Sequence, residues 1–330
     1  MTQANRHSRR DALKAALATT LLAAGSTTAL AQVGDRTVKF ILPNATGSGV
    51  DAITRAAQPA LAKALGHAIV IDNQPGAGGI LGLAALTKTA PDGMSLSVVS
   101  NNVVIFPSVY KTLPFDMPGD FTPIAVIGST PIVIVVNPAK VPATNHKEFV
   151  ALLKSKPGQL NFGSGGNGTI LHLAGEMYVD EVGASAKHIP YKGVGAMVTD
   201  LIGGQIDFAT LALPSVQQHI KSGALRAIGV GGAQRTAAAP EIPTIAEQGT
   251  PGYVFEAWFG VLGPKGMSTA DVKRVHEAIV VAFNDPAVKE TMARQGNTIN
   301  ISSSEFAAGY FRSEKDKYAK LVKKAGIELQ

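Results

Sequence analysis

Short runs of β-branched and aromatic residues alternate along the chain with stretches whose apolar positions recur at helical spacing. The run 37–42 (TVKFIL) predicts a strand. Residues 49–65 predict a helix with Ile53, Ala56, Ala57, Ala60, Leu61, Ala64 and Leu65 on its apolar face. Ser48 suits its N-cap, Asp51 follows three residues later as in a capping box, and Gly66 suits its stop. Pro59 inside this pattern is expected to kink the helix or split it. Further strands are predicted at 68–71, 96–100, 132–136, 160–162, 187–189, 206–209 and 224–230. Helices are predicted at 79–89, 146–156, 170–182, 194–202, 215–221, 269–284, 286–295 and 303–324.

Strands that alternate with helices imply an α/β fold with mostly parallel sheets flanked by helices. Two such runs, each of about 100 residues, flank the apolar segment 123–138. That segment and 255–263 read as strands crossing between two lobes, and the last helices return to the first lobe. The expected division is lobe 1 at 32–135 plus 256–330 and lobe 2 at 136–255, with hinge strands near 125–137 and 255–263.

The N-terminus breaks the pattern. Arg6, Arg9, Arg10 and Lys14 precede the apolar run 15–24, and Ala29-Leu30-Ala31 supplies the small-x-small step of a cleavage site. Residues 1–31 therefore read as a signal peptide cleaved after Ala31, Tat-like or Sec, with the mature protein in the periplasm. The whole chain of 330 residues carries +6; the leader takes four basic side chains and Asp11 with it, leaving +3. What remains clusters only at Lys315, Lys317, Lys320, Lys323 and Lys324, the polar side of a helix whose apolar stripe is Tyr318, Leu321, Val322 and Ala325. That arrangement reads as a solvated face, and no nucleic-acid partner is expected. The sequence has no cysteine, which excludes disulfides, haem attachment and thiolate metal sites. Beyond the leader it holds no apolar run of about 18 residues of the kind that spans a bilayer.

Three Gly-bearing loops each follow a predicted strand and open a helix: 43–51 (PNATGSGVD), 73–79 (NQPGAGG) and 163–169 (GSGGNGT). In an open α/β sheet this is the ligand-binding edge, where free amides at a helix start attract anions. A single loop of this kind could be only a tight connection; two in different lobes suggest an anion pincer. A dinucleotide fingerprint fits less well. Residues 43–46 separate the first strand from the first glycine, and the second match is followed by Tyr191-Lys192 where an acid is needed. No HExxH, HxH or GxSxG spacing occurs. His172 and Glu176, four apart on one helix, read as a local pair rather than a metal site. Neither a cofactor nor a metal is expected, and nothing in the pattern calls for an enzyme.

The motifs PNATGSGVDAITR (43–55), DNQPGAGG (72–79), APDG (90–93), LNFGSGGNGTILHLAGE (160–176), HIPYKG (188–193), DLIGGQID (200–207), PTIAEQGTPGY (243–253) and WFGVLG (258–263) occur in an order that resembles the Bug-type substrate-binding proteins of tripartite tricarboxylate transporters. The resemblance implies a Venus-flytrap periplasmic binding protein, type II-like, that closes on a small carboxylate and delivers it to a membrane permease. The acid would be a di- or tricarboxylate, an acidic amino acid or an aromatic acid. Carried over by position, the ligand contacts would be Asn44, Thr46, Gly47, Ser48 and Gly49 on one lobe and Ser164, Asn167, Gly168 and Thr169 on the other. Tyr191, Lys192 and Thr210 would close the pocket. Asn44 and Thr46 stand where the family more often has an aromatic residue and a proline, so Asn44 would add a polar contact. The receptor is expected to be a monomer. The competing reading is an exported α/β hydrolase or lyase acting on a carboxylate. Trp258, the only tryptophan, is expected near the lobe crossing.

Overall fold

The computed structural model describes residues 37–327 and 329, so the leader and its cleavage site lie outside the described residues. β1 (Val38–Leu42) leads into α1 (Gly49–Leu65), followed by β2 (Ile69–Asn73), α2 (Ile80–Leu86), β3 (Ser95–Ser100) and the short α3 (Asn102–Ile105). The strand β4 (Phe121–Val136) is 16 residues long. After it come α4 (His146–Ser155), β5 (Asn161–Ser164), α5 (Ile170–Glu181), β6 (Lys187–Pro190), α6 (Val194–Ile202), β7 (Phe208–Ala212), α7 (Leu213–Lys221) and β8 (Arg226–Val230). β9 (Glu256–Pro264), α8 (Thr269–Asn284), α9 (Pro286–Arg294), β10 (Thr298–Ile299) and α10 (Ser304–Lys324) complete the chain.

The strands form one sheet in the order β2-β1-β3-β9-β4-β7-β5-β6, with β8 and β10 also pairing β4. The two arms are parallel as expected: β1 with β2 and β3, and β5 with β6 and β7. The centre is antiparallel, because β9 returns between β3 and β4 and β4 pairs β7. β4 serves both halves. Its first part pairs β9 and β10, and its second pairs β7 and β8. The segments 123–138 and 255–263 fall largely within β4 and β9, at the centre of this sheet.

One core gathers Phe40, Leu42, Ile53 and Leu61 with Val275, Ile279 and Phe283, so α1, α8 and α9 cover the first arm. The other packs Phe149, Phe162, Tyr178, Phe208 and Leu213 and extends to α10 through Phe311 and Tyr318. The lysines of α10 lie on its outer side, while Tyr318 and Val322 are buried.

Two expectations change. α1 runs unbroken through Pro59, which is exposed beside exposed Arg55, so the carbonyl it leaves unpaired at Arg55 is on the solvent side. The helix expected from residue 215 begins at Leu213, with Pro214 in its first turn, where a missing N–H costs nothing.

Candidate functional site

A cleft opens where the two halves meet, lined from both. Gly49 and Val50 open α1; Ile170 and Leu171 open α5; Gly193 and Val194 start α6; Ala212 and Ser215 mark the start of α7. Four helices of nine residues or more therefore present their N-termini to one space. Neither Gly193 nor Ala212 caps its helix with a side chain, and amides in such first turns carry partial positive charge. Lys192 is the only charged residue among those lining the cleft, and no Asp or Glu is among them. The space is electropositive by construction.

The first loop is built around Asp51. Its Oδ2 accepts from Gly47 N–H at 2.9 Å, and its Oδ1 accepts from Arg55 Nε at 2.9 Å and from Asn73 Nδ2 at 3.0 Å. Burial opposes its charge, but these bonds outweigh that and hold its carboxyl below the usual range. Asp51 thus claims the Gly47 amide for the protein itself. Ser48 Oγ accepts from Asp51 N–H at 3.3 Å, which leaves its hydroxyl proton for the cleft. Gly49 and Val50 keep first-turn amides that no described residue takes up. Asn44, Ser48 and Gly49 line the space; Thr46 and Gly47 stand outside the lining and are exposed.

The third loop is largely satisfied from within. Ser164 Oγ accepts from Gly166 N–H at 3.1 Å and lies 2.6 Å from His188 Nε2. Thr169 Oγ1 accepts from His172 N–H and donates to Gly166 O at 2.8 Å. Gly168 N–H donates to His172 Nδ1 at 3.3 Å, which puts the His172 proton on Nε2, 3.4 Å from Glu176. The His172 and His188 rings stack with centroids 3.8 Å apart. Burial and then the adjacent His172 push His188 down to about 3. Of the predicted residues here, only Thr169 lines the cleft. Ser164 and Gly168 brace the loop from behind. Asn167 gives its carbonyl to Tyr110 Oη at 3.0 Å and borders a separate hollow with His172 and His188. The amides left over for a guest belong to Gly165 and Leu171, both in the lining.

Lys192 lines the cleft, whereas Tyr191 turns away to donate to Asp200 at 2.8 Å. Burial and then Asp200 push its phenol up to about 12. Thr210 Oγ1 donates to Leu171 O, so it fixes the start of α5 rather than facing the space.

Several lining residues were not among the sequence candidates. The second loop contributes Gly76, Gly78 and Gly79. The floor comes from the central strands, through Ser100, Phe259, Ala257, Thr130 and Ile132. Asn102 reaches across, its Oδ1 accepting from Ile170 N–H at 2.7 Å. Thr130 could have been noticed as a polar residue in an apolar run. Trp258, between Ala257 and Phe259, points to the other face, where its Nε1–H donates to Glu314 at 2.8 Å.

A mixed α/β sheet in two halves, with helix N-termini converging on the cleft between them, is the architecture of two-lobed periplasmic solute-binding proteins. Residues 53–327 match the Tripartite tricarboxylate transporter family receptor, and the chain belongs to that family. It is 32% identical to Protein BugT of Bordetella pertussis over 297 residues, 89% of this chain and 91% of BugT. The structure of periplasmic binding protein BugD is 29% identical with a TM-score of 0.85, covering 90% of this chain and all of BugD (100%). That of R. palustris Rpa4515 with adipate is 26% identical with a TM-score of 0.86, over 90% of this chain and 99% of the other. Members of this family are receptors, so the hydrolase or lyase reading falls.

Proposed function

We propose that the protein is an extracytoplasmic receptor that closes two lobes, 32–135 plus 256–330 and 136–255, around a small carboxylate. It would then deliver the acid to the permease of a tripartite tricarboxylate-type transporter. The observation that carries this reading is the convergence of four helix N-termini on a cleft with no acidic lining residue. A carboxylate there would accept from Gly49, Val50 and the Ser48 hydroxyl on one side and from Gly165 and Leu171 on the other. Charge-assisted bonds of about 1.5–3 kcal/mol each are enough for micromolar binding, about 8 kcal/mol, after the cost of closure. Contacts drawn from both halves also favour the closed form over the open one. The adipate bound by the R. palustris relative supports a carboxylic acid as the guest.

The test is a thermal-shift screen of mono-, di-, tri- and aromatic carboxylates on the mature protein. An acid at a hundred times its Kd adds about 2.7 kcal/mol, which should raise the melting temperature by about 4 °C. A melting temperature left unchanged by every acid in the screen would refute the reading.

A further inference from the structure

Resting on that reading, the floor of the cleft says more about which acids fit. Thr130 is 1% exposed, lines the cleft, and its Oγ1 has no hydrogen-bond partner. Buried hydroxyls almost always find one, and leaving one without is costly. The helix-terminal amides do not explain it, because Thr130 belongs to β4, in the sheet.

Its surroundings follow from the ladder. Thr130 stands opposite Ala257 on β9, and Ser100 stands opposite Phe259, so these four share the cleft face while Trp258 takes the other. Asn102 follows Ser100 by two residues and also lines the cleft. Its Oδ1 must accept from Ile170 N–H, which fixes the amide and leaves the donor Nδ2 without a partner among the described residues. Ala257, opposite Thr130, offers only a methyl. Thr130 and Asn102 thus give a notch in the floor two neutral hydrogen-bonding groups and no charge.

We infer that this notch receives an uncharged oxygen on the ligand, a hydroxyl or carbonyl, beyond the carboxylate held by the helix termini. Such an oxygen accepts from Asn102 Nδ2 and pairs with the Thr130 hydroxyl, which can donate or accept. A second carboxylate there would have to shed its water against neutral partners beside the buried Thr130. The receptor therefore selects hydroxy or oxo acids over their unsubstituted parents.

Calorimetric titration of malate and oxaloacetate against succinate, and of lactate and pyruvate against propionate, tests this. In the native protein at least one substituted acid should bind ten-fold or more tighter than its parent. Thr130→Val should bring that ratio near one, and Thr130→Ser should restore it. Because the valine removes an unpaired hydroxyl, the ligand-free melting temperature of Thr130→Val should hold or rise. Parents that bind as tightly as the substituted acids, or a ratio that survives in Thr130→Val, would overturn the notch and leave the carboxylate reading standing. Absence of binding by all these acids, with a tricarboxylate or aromatic acid bound in the screen, would overturn the notch alone; absence of binding by every acid screened would overturn both.

Discussion

At the scale of single residues, the site depends on which polar groups the protein uses itself and which it leaves free. Ser48 does both, accepting from Asp51 N–H while its proton remains available. Ser48→Ala should weaken carboxylate binding ten-fold or more through the loss of one charge-assisted bond. As an N-cap change it costs about 1 kcal/mol of stability, so melting should drop by only a few degrees. Calorimetry and a melting curve on one sample separate the two effects. His188 supplies a pH test. Its folded pKa of about 3 lies below the ordinary histidine value, so the unfolded chain binds the extra proton first. Stability from this group is complete above about pH 6.5 and declines as pH falls toward 3. Between pH 6.5 and 5 the loss should be at most about 2 kcal/mol, less where solvent reaches the ring. His188→Gln should flatten that part of the stability–pH curve; an unchanged slope would contradict the assignment. The sequence makes Ser48 and Asp51 legible because capping has a fixed spacing. It does not reveal that Gly47, Ser164 and Thr210 have their donors occupied, since those partners are Asp51, Gly166 and Leu171 as placed by the fold.

At the scale of elements, the boundaries of α1, α6 and α8 can be read directly, because apolar periodicity and terminal signals agree there. The second loop reads as part of the ligand-binding edge, but Gly76, Gly78 and Gly79 were not among the expected contacts. The floor was hidden for another reason. Ala257 and Thr130 meet only through the antiparallel pairing of β9 with β4, a contact between residues far apart in the chain. That pairing also depends on Gly128, at φ 150°, where β4 shifts register and β10 presses close. A Cβ at Gly128 would overlap the Thr298 carbonyl, which is backbone and cannot swing aside. Gly128→Ala should therefore cost about 2–4 kcal/mol, seen as a lower denaturation midpoint at an unchanged slope. A midpoint equal to that of the native protein would show that β10 can move away.

At the scale of the molecule, alternation of strands and helices discloses two parallel arms, and the long apolar segments disclose the central strands β4 and β9. That β9 inserts between β3 and β4 to make one continuous sheet is a matter of topology, which local pattern does not encode. The same arrangement brings amides from separate arms to a common space. The most direct measurement follows amide resonances of isotope-labelled mature protein during titration with the tightest-binding acid from the screen. Gly49, Val50, Gly165 and Leu171 should move downfield together and saturate at one common affinity. Shifts confined to one arm, or centred on residues away from these four, would contradict a guest gripped from both sides.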